Sequence, residues 1–241
     1  MQMHGQRVLI VGVGGIGAPT AKICAQCGAE VLLADLRAPT AIASELKAKY
    51  QAQTSAYAVD IGSSDSIRTL CASAKNIDGL VITSGILPEE TTLLPGTSEW
   101  EESFSRVFNI NVRGPMMLAQ LVLTEMISRS SGRIVIIGSI AGRNGGLLSG
   151  AQYAASKGAL HAFVRWLALR AAPHGIPVNA VAPGATATPM LATRNVDIRK
   201  IPLGRLAEPI EIARVVALLA SPAASYMHGA IVDVNGGAFF G

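Results

Sequence analysis

Seven short apolar runs of strand length, separated by stretches of helical composition, leave this 241-residue chain few folds to choose from. The runs are Val8–Val11, Val31–Ala34, Ala56–Val59, Leu80–Thr83, Ile134–Ile137, Val178–Val181 and Ile231–Val234. Helical composition lies near residues 16–27, 40–51, 64–75, 98–129, 152–172 and 208–220. Runs that are apolar on both faces read as parallel strands covered by helices on each side. Parallel neighbours need right-handed crossovers, and the intervening helices supply them. With no internal repeat, low-complexity tract or linker, the expectation is one doubly wound α/β domain over residues 1–241.

Composition narrows the partners. Half the residues are hydrophobic and 15% are charged, which suits a large core. The net charge of +4 is spread out, with no basic run or basic–aromatic interleaving, so nucleic acid is not expected as a partner. Three cysteines do not suggest a disulfide framework, and a cytoplasmic protein is expected. Cys24 and Cys27 form a C-x-x-C inside an apolar helical stretch without a second ligand pair, which reads as packing rather than redox or metal chemistry. His4, His161, His174 and His228 show no ligand spacing, so no metal is expected. Glycines interrupt the apolar run after Arg7, which fits a strand and turn better than a secretory signal. No run of about 20 apolar residues exists to span a membrane.

The first run ends in Gly12-Val-Gly14-Gly15-Ile-Gly17 and opens a helix. Glycines there let the backbone turn sharply and approach a pyrophosphate, while the helix N-terminus offers free N–H groups to anionic oxygens. Asp35 closes the second run eighteen residues after Gly17. A carboxylate there accepts hydrogen bonds from ribose hydroxyls and repels a 2′-phosphate, so NAD (NADH) is expected in preference to NADP. Leu36 adjoins Asp35, and Arg37 reads as a surface cation. The whole is a Rossmann-type arrangement, a seven-stranded, mostly parallel sheet with helices on both faces.

Tyr153-Ala-Ala-Ser-Lys157 puts a phenol and an ammonium on one helix face, with Ser139 fourteen positions upstream at a strand end. A free tyrosine titrates near pH ~10 and carries protons poorly at neutrality. A neighbouring ammonium favours phenolate, so Lys157 is expected to pull the Tyr153 pKa down. A phenol, a lysine and a hydroxyl around one oxygen suit proton transfer to or from an alcohol.

With these elements in order, the whole chain resembles the short-chain dehydrogenase/reductase family in its classical form. Further matches are Asp60 after the third run, Asn111 in Asn-Val-Arg-Gly, Ser139 in Ile-Ile-Gly-Ser, Pro183-Gly184 with Thr188, Pro202-Leu-Gly-Arg205 and Val234-Asn-Gly-Gly237. The resemblance implies that Tyr153 is the acid/base, that Lys157 tunes it and holds the nicotinamide ribose, that Ser139 bonds the substrate oxygen and that Asn111 anchors a water. It implies adenine contacts from Asp60 and Ile61. Pro183, Gly184 and Thr188 then hold the carboxamide, and Gly12, Gly14, Gly15, Ile16, Gly17, Leu36, Ser84, Gly85 and Thr186 complete the cofactor site. Departures are visible. Val11 stands where the family has threonine, the glycine turn is one residue short, and Ile82-Thr-Ser-Gly85 replaces Asn-Asn-Ala-Gly. The basic residue that NADP-preferring relatives carry in the glycine turn is absent. None of the four catalytic positions is altered.

Substrate contacts are expected from loops at the strands' carboxyl ends, 86–100, 140–152 and 189–201. Candidates are Ile86, Leu147 and Met190 as apolar lining, set against simple loop packing, and Arg143 as an anchor for an acidic group, set against a solvated arginine. The loop at 189–201 is short for a lid, favouring a compact alcohol or an open cleft, and Arg194, Arg199 and Lys200 read as solvated charge. The resemblance implies an NAD-dependent alcohol dehydrogenase or ketoreductase acting on a small alcohol or ketone, assembled as a homotetramer. It also permits a 3-oxoacyl-thioester reductase of the acyl-carrier-protein type, for which Arg129 and Arg170 are the available docking cations. A non-enzymatic NAD-binding sensor or scaffold is the remaining reading.

Overall fold

The computed structural model describes residues 1–88, 95–146 and 149–241. Each apolar run forms a strand: β1 (Arg7–Val11), β2 (Glu30–Asp35), β3 (Thr54–Ala58), β4 (Gly79–Ile82), β5 (Arg133–Ile137), β6 (Val178–Pro183) and β7 (Ile231–Val234). They form one sheet in the order β3-β2-β1-β4-β5-β6-β7, and every pairing is parallel. The expected mostly parallel sheet is therefore wholly parallel.

Side chains alternate across the sheet, and each face meets its own helix layer. Val8 and Ile10 of β1 pack with α1 (Gly17–Gln26), α2 (Thr40–Tyr50) and α8 (Pro209–Leu219). Leu9 and Val11 pack with α3 (Ser64–Ser73), α5 (Gly114–Arg129) and α7 (Ala151–Ala171). Cys24 lies in the first layer, fully buried, and burial pushes its thiol up to about 12, so it serves as packing. No helix among the described residues is long and apolar enough to cross a membrane.

Two local features escaped the sequence pattern. The helical stretch expected over 98–129 is α4 (Ser98–Phe108) and α5 joined by a π-helical turn, Asn109–Arg113. Such turns often mark functional positions, and this one carries Asn111. A one-turn helix, α6 (Ala141–Asn144), follows β5 and ends at Gly145. Outward from β1 and β4 the connections diverge to opposite faces of the sheet. That switch point opens a crevice at the strands' carboxyl ends.

Candidate active site

The crevice is a cleft of about 670 Å³ running from Asp35 to the tip of the 189–201 loop. Its inner end is built from backbone. Gly12 has φ +92°, and a Cβ there would sit 2.5 Å from the Ser84 amide nitrogen, so only glycine allows β1 and β4 to end this close together. Thr83 Oγ1 donates to the Val11 carbonyl at 3.1 Å and to the Gly12 carbonyl, and the Thr83 and Ser84 amides also reach Val11. The altered segments after β1 and β4 thus still brace each other. Gly15 lies against the Thr188 side chain, whereas Gly14 faces open space. Helix α1 follows Ile16 without a side-chain cap. The Ala18 amide is used on the Gly14 carbonyl at 3.0 Å and Pro19 has no N–H, so Ile16 and Gly17 are the helix-start residues that line the cleft.

Asp35 fixes the turn from the neighbouring strand. Its carboxylate accepts from the Val13 amide at 2.6 Å and the Leu36 amide at 2.7 Å. Ile16, Gly17, Leu36, Asp60, Ile61 and Gly85 also line this end. Asp60 Oδ1 accepts from the Gly62 amide at 2.8 Å. Ser84 Oγ is buried beside the cleft without a hydrogen-bond partner among the described residues. An uncapped helix start, the open face of Gly14, a carboxylate at the end of β2 and this hydroxyl together fit a dinucleotide. Across the cleft stand Pro183, Gly184, Thr186 and Thr188, folded by Thr186 Oγ1 donating to Gly184 O at 3.0 Å.

Ser139, Tyr153 and Lys157 meet at the middle of the cleft. Ser139 sits just past β5, where its Oγ accepts from the Ala141 amide at 3.1 Å. The Ser139 hydroxyl stands close enough to the Tyr153 phenol to favour its charged form. Lys157 Nζ donates to the Ile137 carbonyl at 3.1 Å and lies 5.7 Å from the Tyr153 ring centre. Burial drives both groups toward neutrality. It raises the Tyr153 pKa, opposed by the neighbouring Ser139 hydroxyl and the positive charge of Arg194, and it lowers Lys157 to about 8. The expectation of a depressed tyrosine is therefore corrected, because burial outweighs the charges around it. The opposing cation is Arg194, which had read as solvated loop charge.

Asn111 is fully buried behind this trio rather than in the cleft. Its Oδ1 accepts from the Ile86 amide at 2.8 Å, and its Nδ2 donates to the Ile86 carbonyl at 2.9 Å and Ser156 Oγ at 3.2 Å. With its amide committed in this way, it clamps the loop after β4.

At the outer end, Ile86 and Met190 line the cleft as expected. Arg143 does not, and its expected role is corrected. It pairs with Asp233 of β7 at 3.1 Å, donates to the Ile231 carbonyl at 2.6 Å and lies over the Phe239 ring, because α6 turns it back toward the sheet. Leu147, like Leu93, Leu94 and Leu148, lies outside the described residues. Two residues near the centre were not singled out by sequence reasoning. Arg194 is half-buried and donates to the Pro88 carbonyl, and no spacing rule marks a lone loop cation. His161 had a signal, since Tyr153, Lys157 and His161 recur every four residues on one face of α7.

Comparison with known proteins agrees with this geometry. The family described as "Enoyl-(Acyl carrier protein) reductase" matches residues 12–238. A 3-oxoacyl-acyl-carrier-protein reductase of Aquifex aeolicus is 34% identical over 251 residues, covering 99% of each chain. A cis-4-hydroxycyclohexanecarboxylate dehydrogenase of Sinomonas cyclohexanicum is 35% identical over 246 residues, covering 96% of each. Among solved structures, a 3-oxoacyl-acyl-carrier-protein reductase from Brucella melitensis with bound NAD superposes with TM-score 0.89 at 28% identity, covering 99% of this chain and 92% of that one. With its wholly parallel sheet, its cleft and these matches along nearly its full length, the chain belongs to the short-chain dehydrogenase/reductase family and is an oxidoreductase of that family.

Proposed function

We propose that this chain interconverts a secondary alcohol and a ketone with NAD(H). The observation that carries this reading is the meeting of Ser139, Tyr153 and Lys157 in a cleft whose far end is closed by the Asp35 carboxylate. A dinucleotide held by Gly12 to Gly17, Asp35 and Pro183 to Thr188 would supply hydride acceptance at the alcohol carbon or hydride donation at the ketone carbon. Tyr153 takes the proton from the alcohol oxygen during oxidation and gives it back during reduction. Ser139 offers its hydroxyl hydrogen to the same oxygen while its Oγ accepts from the Ala141 amide. Arg194 lowers the cost of charge on the phenolate. Lys157, beside Gly85, would hold the cofactor's ribose, and Asn111 holds the loop at Ile86 so that residues 85 and 86 keep their place beside it. The unit extends over residues 1–241, with 189–201 as a short substrate loop.

The choice of NAD rests on Asp35, whose charge opposes a 2′-phosphate. The test is cofactor turnover with a panel of secondary alcohols, NAD and NADP in parallel, followed by the absorbance of the reduced nicotinamide. Faster turnover with NAD supports the reading, and faster turnover with NADP refutes the role given to Asp35.

A 3-oxoacyl-thioester reductase is the second reading, and the Aquifex aeolicus relative favours it. Against it, Arg129 is tied to Asp78 at 3.0 Å and to the Ile77 carbonyl, and Arg170 lies 3.8 Å above the Trp166 ring, so neither stands ready for a carrier protein. Leu121, Trp166 and Leu169 expose apolar surface along α5 and α7, which supports the homotetramer, and light scattering that finds a stable monomer removes it.

A further inference from the structure

Behind Ser139 lies a buried titratable group that none of these steps uses. His161 is 3% exposed on α7. Its Nε2 accepts from the Ser139 backbone N–H at 3.5 Å. Accepting at Nε2 requires a neutral ring with its proton on Nδ1. Gly138 makes room for the ring, because a Cβ there would come 2.2 Å from Nε2. The Gly142 amide donates to the Ser139 carbonyl at 3.0 Å and closes the turn that presents Ser139, with the ring behind it.

We infer that His161 is a positioning residue, its neutral ring accepting from the Ser139 backbone so that the serine hydroxyl stays opposite Tyr153. The inference rests on the reading of Ser139 and Tyr153 as the reacting pair. The surroundings keep the ring uncharged. Burial comes first, followed by Arg143 from α6 and Lys157 and Arg165 from α7, and together they bring its pKa down to about 4. Asp233 of β7 faces this group only through its pair with Arg143. Protonation at Nε2 would set two N–H groups against each other and release the serine turn.

The test combines two measurements on the full chain. Nitrogen NMR of the ring-labelled wild-type protein reads the tautomer directly. A protonated Nδ1 and a bare Nε2 that persist from pH 5 to 8 are expected, on the order of an ordinary histidine's titration range. The opposite tautomer, or titration within that range, overturns the inference. Kinetics of His161→Leu and His161→Gln follow. Leucine removes the acceptor, and kcat is expected to fall about 10- to 100-fold with NADH affinity and cofactor KM unchanged. Glutamine restores an acceptor and recovers much of the loss. A folded leucine variant with full kcat, or a glutamine variant no better than leucine, overturns the inference. If leucine prevents folding, the glutamine variant and the NMR result decide. Wild-type protein that binds NADH yet turns over no alcohol, ketone or thioester counts against the proposed reaction, and the NMR result then decides the brace alone.

Discussion

The two ends of the cleft are built differently. The cofactor end is made of backbone: glycines at a crossing of β1 and β4, amides gathered on Asp35, and a helix start without a cap. The substrate end is made of side chains on loops, with Met190 42% exposed and Arg194 reaching across to Pro88. Backbone geometry tolerates few residue types, so one end is under tight sequence constraint. Loop side chains can change while the fold persists. A family sharing this sheet can therefore keep one hydride chemistry and vary its substrates.

The largest expected effect lies where the two ends meet. Tyr153→Phe removes the proton carrier and leaves the walls of the cleft in place. Turnover should fall by roughly 10²- to 10⁴-fold, with NADH binding by fluorescence unchanged. Loss of NADH binding as well would mean that the phenol belongs structurally to the cofactor end. Unchanged function with no turnover in either protein would favour the sensor reading.

Next comes the cofactor end alone. Asp35→Asn keeps the shape but removes the charge that opposes a 2′-phosphate. The ratio of kcat/KM for NAD over NADP should drop about 10- to 100-fold, the scale of one or two charge-assisted hydrogen bonds. Because the same carboxylate binds the Val13 amide at 2.6 Å, a lower Tm should accompany the change. An unchanged cofactor ratio would show that Asp35 serves only the fold.

A pH profile tests the middle of the cleft. Burial raises the Tyr153 pKa above its ordinary value, so below that point the phenol is protonated in the free enzyme. Oxidation needs phenolate, and its kcat/KM should climb with pH by up to about 10-fold per unit across the neutral and alkaline range. Reduction needs the phenol and should hold level over the same range. Arg194→Gln removes a cation that favours phenolate, and should move the rise in oxidation to higher pH. A flat oxidation profile with chemistry rate-limiting, or a rise that moves to lower pH in the variant, would sink the assignment.

The same contrast governs what could be read from the sequence. The five inner strands were legible because burial on both faces demands continuous apolar runs. The edge strands β3 and β7, only partly buried, were legible from their apolar runs as well, and the glycine turn and Asp35 because few residues fit there. Tyr153 and Lys157 were legible through helix spacing. Their electrostatics were not, because burial and a cation from a distant loop set them. Burial is the first cause of shift for both groups, and Arg194 arrives from a loop forty-one residues after Tyr153. The π-helical turn at Asn109–Arg113 was equally hidden, since it is a single widened turn between two helices, and the Gly114-Pro115 that follows it also opens a helix.

Arg143 gives the smallest effect on activity and the clearest separation of the two ends. By position, four residues after Ser139, it belongs to the substrate end, but by its contacts it belongs to the sheet. Both partners of its pair with Asp233 are largely buried, with side-chain exposures of 16% and 18%. Removing one leaves the other charged and unsatisfied, a loss of about 1–3 kcal/mol. Arg143→Met should therefore lower Tm while KM for neutral and acidic substrates alike changes less than about twofold, since no contact to the cleft is lost. A selective rise in KM for substrates bearing a carboxylate, at unchanged Tm, would return the residue to the substrate end. It would also mean that α6 rearranges when ligand enters, because Arg143 cannot bind Asp233 and a substrate anion with the same face of its guanidinium.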